Sequence, residues 1–145
     1  MTRDDFDNFL KNDVKITDWR GDRIESSHFF SFDEGWFELT AQLIKDCLAV
    51  GWSGKLHQSK EKFGGLRFYT GSEQKEIQSI IQKAGIDSYN TCEKCGSHEE
   101  IGKTSGWIKT FCRLCAEKEF AHKNFLATRF DDWWKSNENS QLSNE

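Results

Sequence analysis

Proline is absent from all 145 residues, methionine occurs once and tyrosine only twice. Without proline there is no Pro-rich linker, and helix ends must be read from caps, glycines and hydrophobic period. No apolar run approaches the ~20 residues of a membrane-spanning helix, which excludes a helical transmembrane protein. The opening MTRDDFDNFL is acidic and lacks the apolar stretch of a secretory signal, so the reading is a soluble, cytoplasmic protein with no membrane partner. Aliphatic residues are also scarce: hydrophobic residues make up 36%, charged residues 30%, and the mean hydropathy is -0.76. The 12 Phe, 6 Trp and 2 Tyr compensate, because each large ring can bury roughly 150–250 Å². A mass of 16.9 kDa then suits one domain, or one domain with a small appendage.

Net charge is -4, unevenly spread. Residues 1–50 hold 6 Lys/Arg against 11 Asp/Glu, residues 51–125 hold 12 against 9, and residues 126–145 hold 2 against 4. A general nucleic-acid binder would be basic overall, so only a local basic face in the middle third is compatible with that role. The organisation read from these shifts is an acidic N-terminal segment (1–32), a core of helix, β-hairpin and helix (33–90), a cysteine module with a C-terminal helix (91–134) and a disordered polar tail (135–145).

Hydrophobic period predicts a first helix near 3–11. A second of about four turns follows Ser31 or Asp33 as N-cap and carries Trp36, Phe37, Leu43, Ile44, Cys47 and Leu48 to Val50-Gly51. Ser72 is expected to cap a third helix with Ile77, Ile80, Ile81 and Ala84 on one face and Gly85 as its stop. The fold class is α+β: a small antiparallel sheet with helices, plus the cysteine module.

Four of the five cysteines form two pairs, Cys92-x₂-Cys95 and Cys112-x₂-Cys115, separated by sixteen residues. In a cytosolic chain this spacing reads as a tetrahedral metal site, not as disulfides. Zinc is expected as a structural cofactor, with iron in a similar thiolate cage as the competitor. Gly96 follows the first pair as in a metal knuckle, GWIKTFC alternates like a strand, and helix-forming sequence follows Cys115. That layout resembles treble-clef zinc fingers more than a two-knuckle ribbon. Some treble clefs are nucleases with a hairpin histidine, but the segment from Glu99 to Phe111 has none, and His98 and His122 form no metal-binding pair.

Gly64-Gly65 fits a two-residue hairpin turn. It would set Lys62 opposite Arg67 and Lys60 opposite Tyr69, with Phe63, Leu66 and Phe68 toward the core. Lys60, Lys62, Arg67 and Tyr69 would then share the other face. Like charges directly opposite are destabilising unless an anion neutralises them. A phosphate, a nucleic-acid backbone, an acidic partner or the protein's own N-terminal third could do so. The same residues on a plain solvated face are the simpler reading.

GWFELTAQLIKDC, KEKFGGLRFYTG, CEKCG and GWIKTFCRLC together resemble a family of small bacterial and phage proteins, over residues 33–118. The resemblance implies a prophage or mobile-element setting and carries no catalytic residue.

Cys47 reads as a buried small hydrophobe, and His28 and His57 as isolated side chains. Trp133 and Trp134, after Asp131-Asp132, could anchor a partner but more often fold back on the core. Gly64-Gly65 lacks the strand–helix context of a phosphate loop. The expectation is a non-enzymatic zinc-containing binding protein, an inhibitor, immunity-type or regulatory adaptor with a protein partner and no small-molecule substrate. The alternative is a nucleic-acid-binding regulator using Lys60, Lys62, Arg67 and Tyr69, joined by Lys109 and Arg113. A metal-dependent nuclease ranks third.

Overall fold

The computed structural model describes residues 1–104 and 108–119. Trp107, His122, Asp131, Asp132, Trp133, Trp134 and the polar tail lie outside the described residues.

The Thr2 hydroxyl accepts from the Asp5 amide while the Asp5 carboxylate accepts from the Thr2 amide. This capping box satisfies two backbone donors that helix geometry leaves free and opens α1 (Arg3–Asn12). Phe6, Phe9 and Leu10 recur at three- and four-residue spacing and are buried. Phe6 stacks on Phe37 at 4.7 Å and meets the edge of Phe30 at 5.0 Å. The DWRGDR stretch that follows forms a turn, with the Asp18 carboxylate accepting from the Arg20 and Asp22 amides.

A 3-10 turn at Ser27–Phe29 leads into the short strand β1 (Phe30–Ser31). A second, at Glu34–Trp36, leads into α2 (Phe37–Ala49). Neither Ser31 nor Asp33 caps α2 with its side chain: Trp36 precedes the helix, and Asp33 gives its amide to Glu93 across 60 residues of chain. The hairpin strands are β2 (Gln58–Lys62) and β3 (Gly65–Tyr69). β2 and β3 pair antiparallel, and β1 adds a third, parallel strand on the far edge of β2.

The third helix, α3 (Lys75–Ser88), starts later and ends later than its sequence suggests. Ser72, three residues before the helix, accepts from the Gln74 amide and does not cap the helix itself. Gly85 does not stop it, because Ser88 at its end is held twice: its hydroxyl donates to the Gly85 carbonyl and accepts from the Leu66 amide of β3. A tertiary contact thus overrides a local stop signal. β4 (Ile101–Lys103) and β5 (Thr110–Cys112) form a second antiparallel pair, followed by α4 (Arg113–Glu119). The class is α+β, as expected.

Two hydrophobic clusters result among the described residues. The larger joins α1, α2, α3 and the hairpin around Trp36, Phe37, Ile44, Leu66 and Phe68. The smaller consists of Cys92, Ile101, Phe111, Cys112 and Ala116.

Candidate metal centre and hairpin face

Cys92 and Cys95 flank a tight turn in which the Gly96 amide donates to the Cys92 carbonyl at 2.9 Å. Cys112 ends β5 and Cys115 lies in the first turn of α4. The four Sγ atoms lie within 4.8 Å of one another, and all five cysteines are free thiols. A tetrahedral four-thiolate site with metal–sulfur bonds of about 2.3 Å has edges of about 3.8 Å; Cys95 Sγ and Cys112 Sγ are 3.8 Å apart. The Cys115 amide donates to Cys112 Sγ at 3.4 Å, as in a metal knuckle. The set could hold a metal ion.

The thiols differ in environment. Burial pushes Cys92 up, and burial with the neighbouring thiols pushes Cys115 up. Burial also works against the Cys95 thiolate, but the Ser97 amide and the other thiols outweigh it and hold Cys95 below the ordinary value. The remaining thiol, Cys47, is buried on α2, and burial together with Asp46 pushes it up to about 11. That suits a small core side chain and not a nucleophile.

The residue inside the first pair, Glu93, is 1% exposed. Its carboxylate accepts from the Asp33 amide at 3.1 Å and from Lys109 Nζ at 3.4 Å. Lys109 also bonds Glu61 of β2 at 2.9 Å, and the other Glu61 oxygen accepts from the Gly64 amide. Burial raises the Glu93 carboxyl above its usual range, against the pull of Lys109. For Lys109 burial works the other way, but the two carboxylates outweigh it and hold the ammonium in its charged form.

The contact extends on both sides of this network. Gly35 gives its amide to the Glu93 carbonyl, and a Cβ there would collide with the carbonyls of Cys92 and Glu93. Trp36 Nε1 donates to the Thr91 carbonyl at 2.9 Å. The Thr110 hydroxyl donates to the Gly64 carbonyl, and the Tyr89 ring lies against Gly65. GWF, KEKFGGLRFY and CEKC therefore converge on one junction between the aromatic core and the cysteine module.

The hairpin turn corrects the sequence reading. Lys62 pairs with Gly65, so the turn residues are Phe63 and Gly64, with φ of 54° and 82°. A two-residue hairpin turn of the favoured hand needs positive φ at both positions, and the sequence supplies glycine at only one. The module and Tyr89 pack on Gly64 and Gly65 and fix the turn one residue early. Phe63 consequently leaves the core side and is 62% exposed. Lys60, not Lys62, stands opposite Arg67, and Gln58 stands opposite Tyr69. Moving the turn by one residue shifts the pairing by two, which preserves the faces. Lys60, Lys62, Arg67 and Tyr69 still share the outer face, while Leu66 and Phe68 are buried.

No ion pair among the described residues involves Lys60, Lys62 or Arg67, so the acidic N-terminal segment does not neutralise them there. Lys109 and Arg113 do not join this face. Lys109 points into the junction, and Arg113 lies 3.5 Å from Glu100.

Beside Cys95 opens a cleft of about 540 Å³ lined by Glu34, Glu38, Asp87, Lys94 and His98, among others. His98 Nδ1 lies 3.2 Å from the Asn90 carbonyl. Among the described residues, the four cysteines are the one group that brings metal-ligating atoms together. No helix among them is long and apolar enough to cross a membrane.

Sequence reasoning missed Glu93, Glu61 and Gly35. The signal was a carboxylate enclosed by a C-x-x-C pair, where neighbouring thiolates disfavour a negative charge unless a cation is supplied. Neither a protein-family model, nor a curated protein, nor a solved structure matches the chain.

Proposed function

We propose that this chain is a non-enzymatic, zinc-containing binding protein that acts on a macromolecular partner through the outer face of its hairpin. The observation that carries the proposal is the set of four thiols within 4.8 Å of one another, joined through Glu93, Lys109 and Glu61 to the strand bearing that face. Four thiolates fill every position of a tetrahedral ion, so zinc held by Cys92, Cys95, Cys112 and Cys115 is structural and leaves no place for substrate. Reduced thiols suit a cytoplasmic setting. Turn, hairpin and helix in that order, with the ligands at both ends, support a treble-clef-like module. The resemblance to small bacterial and phage proteins favours an inhibitor, immunity factor or regulatory adaptor with a protein target. Three cations on the outer face, none of them ion-paired among the described residues, favour the second reading, a nucleic-acid-binding regulator.

Two measurements test the proposal. Elemental analysis of the purified chain should give one zinc per chain, lost in the Cys92→Ser and Cys112→Ser variants. Affinity capture from host lysate, with and without nuclease, should return a stoichiometric partner that is lost when Lys60 and Arg67 are both changed to Glu. Absence of metal, or capture indifferent to that reversal, overturns it.

A further inference from the structure

Phe63 is in the wrong place for stability. A bulky side chain at φ 54° is a backbone outlier, and glycine, asparagine or aspartate would serve the turn at lower energy. Its ring belongs to neither hydrophobic cluster and is 62% exposed. A strained residue with an exposed ring, giving nothing to the core, points toward a use outside the fold.

The surroundings indicate what that use is. Lys62 Nζ lies 5.7 Å from the Phe63 ring centroid. Next along the same face come the opposed Lys60 and Arg67, and then Tyr69, 42% exposed. From Gly65 to Tyr69 the strand rises about 13 Å. The outer face thus reads aromatic, cation, cation pair, aromatic, and no carboxylate pairs with those cations among the described residues.

We infer that this face takes a single-stranded nucleic acid, with phosphates on Lys60, Lys62 and Arg67 and bases stacked on Phe63 and Tyr69. The inference rests on the second of the proposed readings, a nucleic-acid-binding regulator acting through the hairpin, and names the class of nucleic acid. A single strand offers both groups at once: backbone charge for the cations and free base faces for the rings. A duplex keeps its base faces stacked internally. An acidic protein segment would neutralise the cations and leave the strained ring unused.

The test uses the zinc-loaded full-length chain and a labelled oligothymidylate of about twelve nucleotides, with its duplex and an oligoglutamate peptide as competitors. Three phosphate contacts on a single strand predict a salt slope near -2, a fall of about twentyfold between about 50 and 200 mM salt. Phe63→Gly is the decisive variant, because it relieves the turn. Its melting temperature should hold or rise while affinity falls about tenfold, with Tyr69→Ala behaving similarly in affinity. Lys62→Ala should lower the slope by about 0.7.

Affinity unchanged in Phe63→Gly overturns the inference, as does a duplex bound as tightly as the single strand. Oligoglutamate bound more tightly than the oligonucleotide, and equally by Phe63→Gly, also overturns it, yet leaves the hairpin standing as a binding surface. Failure of the Lys60→Glu, Arg67→Glu double variant to affect any capture removes that surface altogether.

Discussion

The molecule has two interiors of very different kinds. In the larger, 19 described buried side chains interlock, drawn from α1, α2, α3, the hairpin, β1 and the segments between them, and the rings of Phe6, Phe30, Phe32, Trp36 and Phe37 form a chain of contacts. In the smaller, the described buried side chains are only Cys92, Ile101, Phe111, Cys112 and Ala116, two of them thiols of the candidate metal site. The first can exclude water by packing alone. The second encloses too little apolar surface to order its loops, and needs cross-links of another sort. The Glu93–Lys109–Glu61 network supplies part of that need, and metal–thiolate bonds at the four cysteines would supply the rest.

Removing the metal should therefore separate the two regions most. Small zinc modules draw on the order of 10 kcal/mol of folding free energy from the ion. A strong chelator should release amide protection across Ile101–Lys103 and Thr110–Cys112 while α1 and α2 stay protected in hydrogen exchange. Simultaneous loss of protection in both regions would show that they form one cooperative unit and that the division is false. Phe6→Ala is the converse experiment. Truncating a fully buried ring that packs against three others should cost about 3–5 kcal/mol, lowering the melting temperature of the core while zinc stoichiometry stays at one. A variant that loses its zinc along with its core would break the comparison from the other side.

The comparison also explains what could be read without coordinates. α1, α2 and α3 each bury an apolar face that recurs at helical spacing, so Phe6, Phe37, Ile44 and Ile77 announced their elements locally. The four cysteines announced themselves too, because ligand spacing is a property of short segments. The junction was opaque, since its parts lie far apart in sequence: Glu93 bonds the amide of Asp33, and Lys109 bonds Glu61. The hairpin turn was misplaced for the same reason. Two adjacent glycines look like a turn, and only the packing of Thr110 on Gly64 and Tyr89 on Gly65 reveals that both serve close approach. The basic face survived the error because hairpin faces depend on parity, which a one-residue displacement of the turn leaves intact.

The junction can be broken on its own. Lys109→Met leaves the buried Glu93 carboxylate facing Glu61 without a cation, an arrangement that costs about 3–5 kcal/mol for a fully buried pair. With the Lys109 side chain 22% exposed, about 2–3 kcal/mol is expected here. Adding Glu93→Gln should recover part of the loss, because it removes the stranded charge and keeps an acceptor for the Asp33 amide. Denaturant melts of the two single variants and the double variant form the cycle. Losses that simply add would mean the three side chains do not act as a network.

Acid should pull the two interiors apart in separate pH windows. Thiolates must stay deprotonated to hold a metal, so the cysteine module should release zinc first as the pH falls. The core has a different acid-sensitive contact at lower pH. The Ser27 amide donates to Asp7 at 2.6 Å, and that hydrogen bond holds the Asp7 carboxyl below its usual range despite some opposing burial. A depressed folded pKa means the native state binds its proton less readily than the unfolded chain. The contact therefore stabilises the fold above the unfolded pKa of 3.8 and is lost as the pH drops through the lower, folded value. Asp7 sits near the surface, so less than about 1 kcal/mol is at stake. Melts of the metal-free chain followed by tryptophan fluorescence should lose stability below about pH 4, and Asp7→Asn should flatten that decline. A decline as steep in Asp7→Asn as in the parent would place the core's acid sensitivity on other carboxylates.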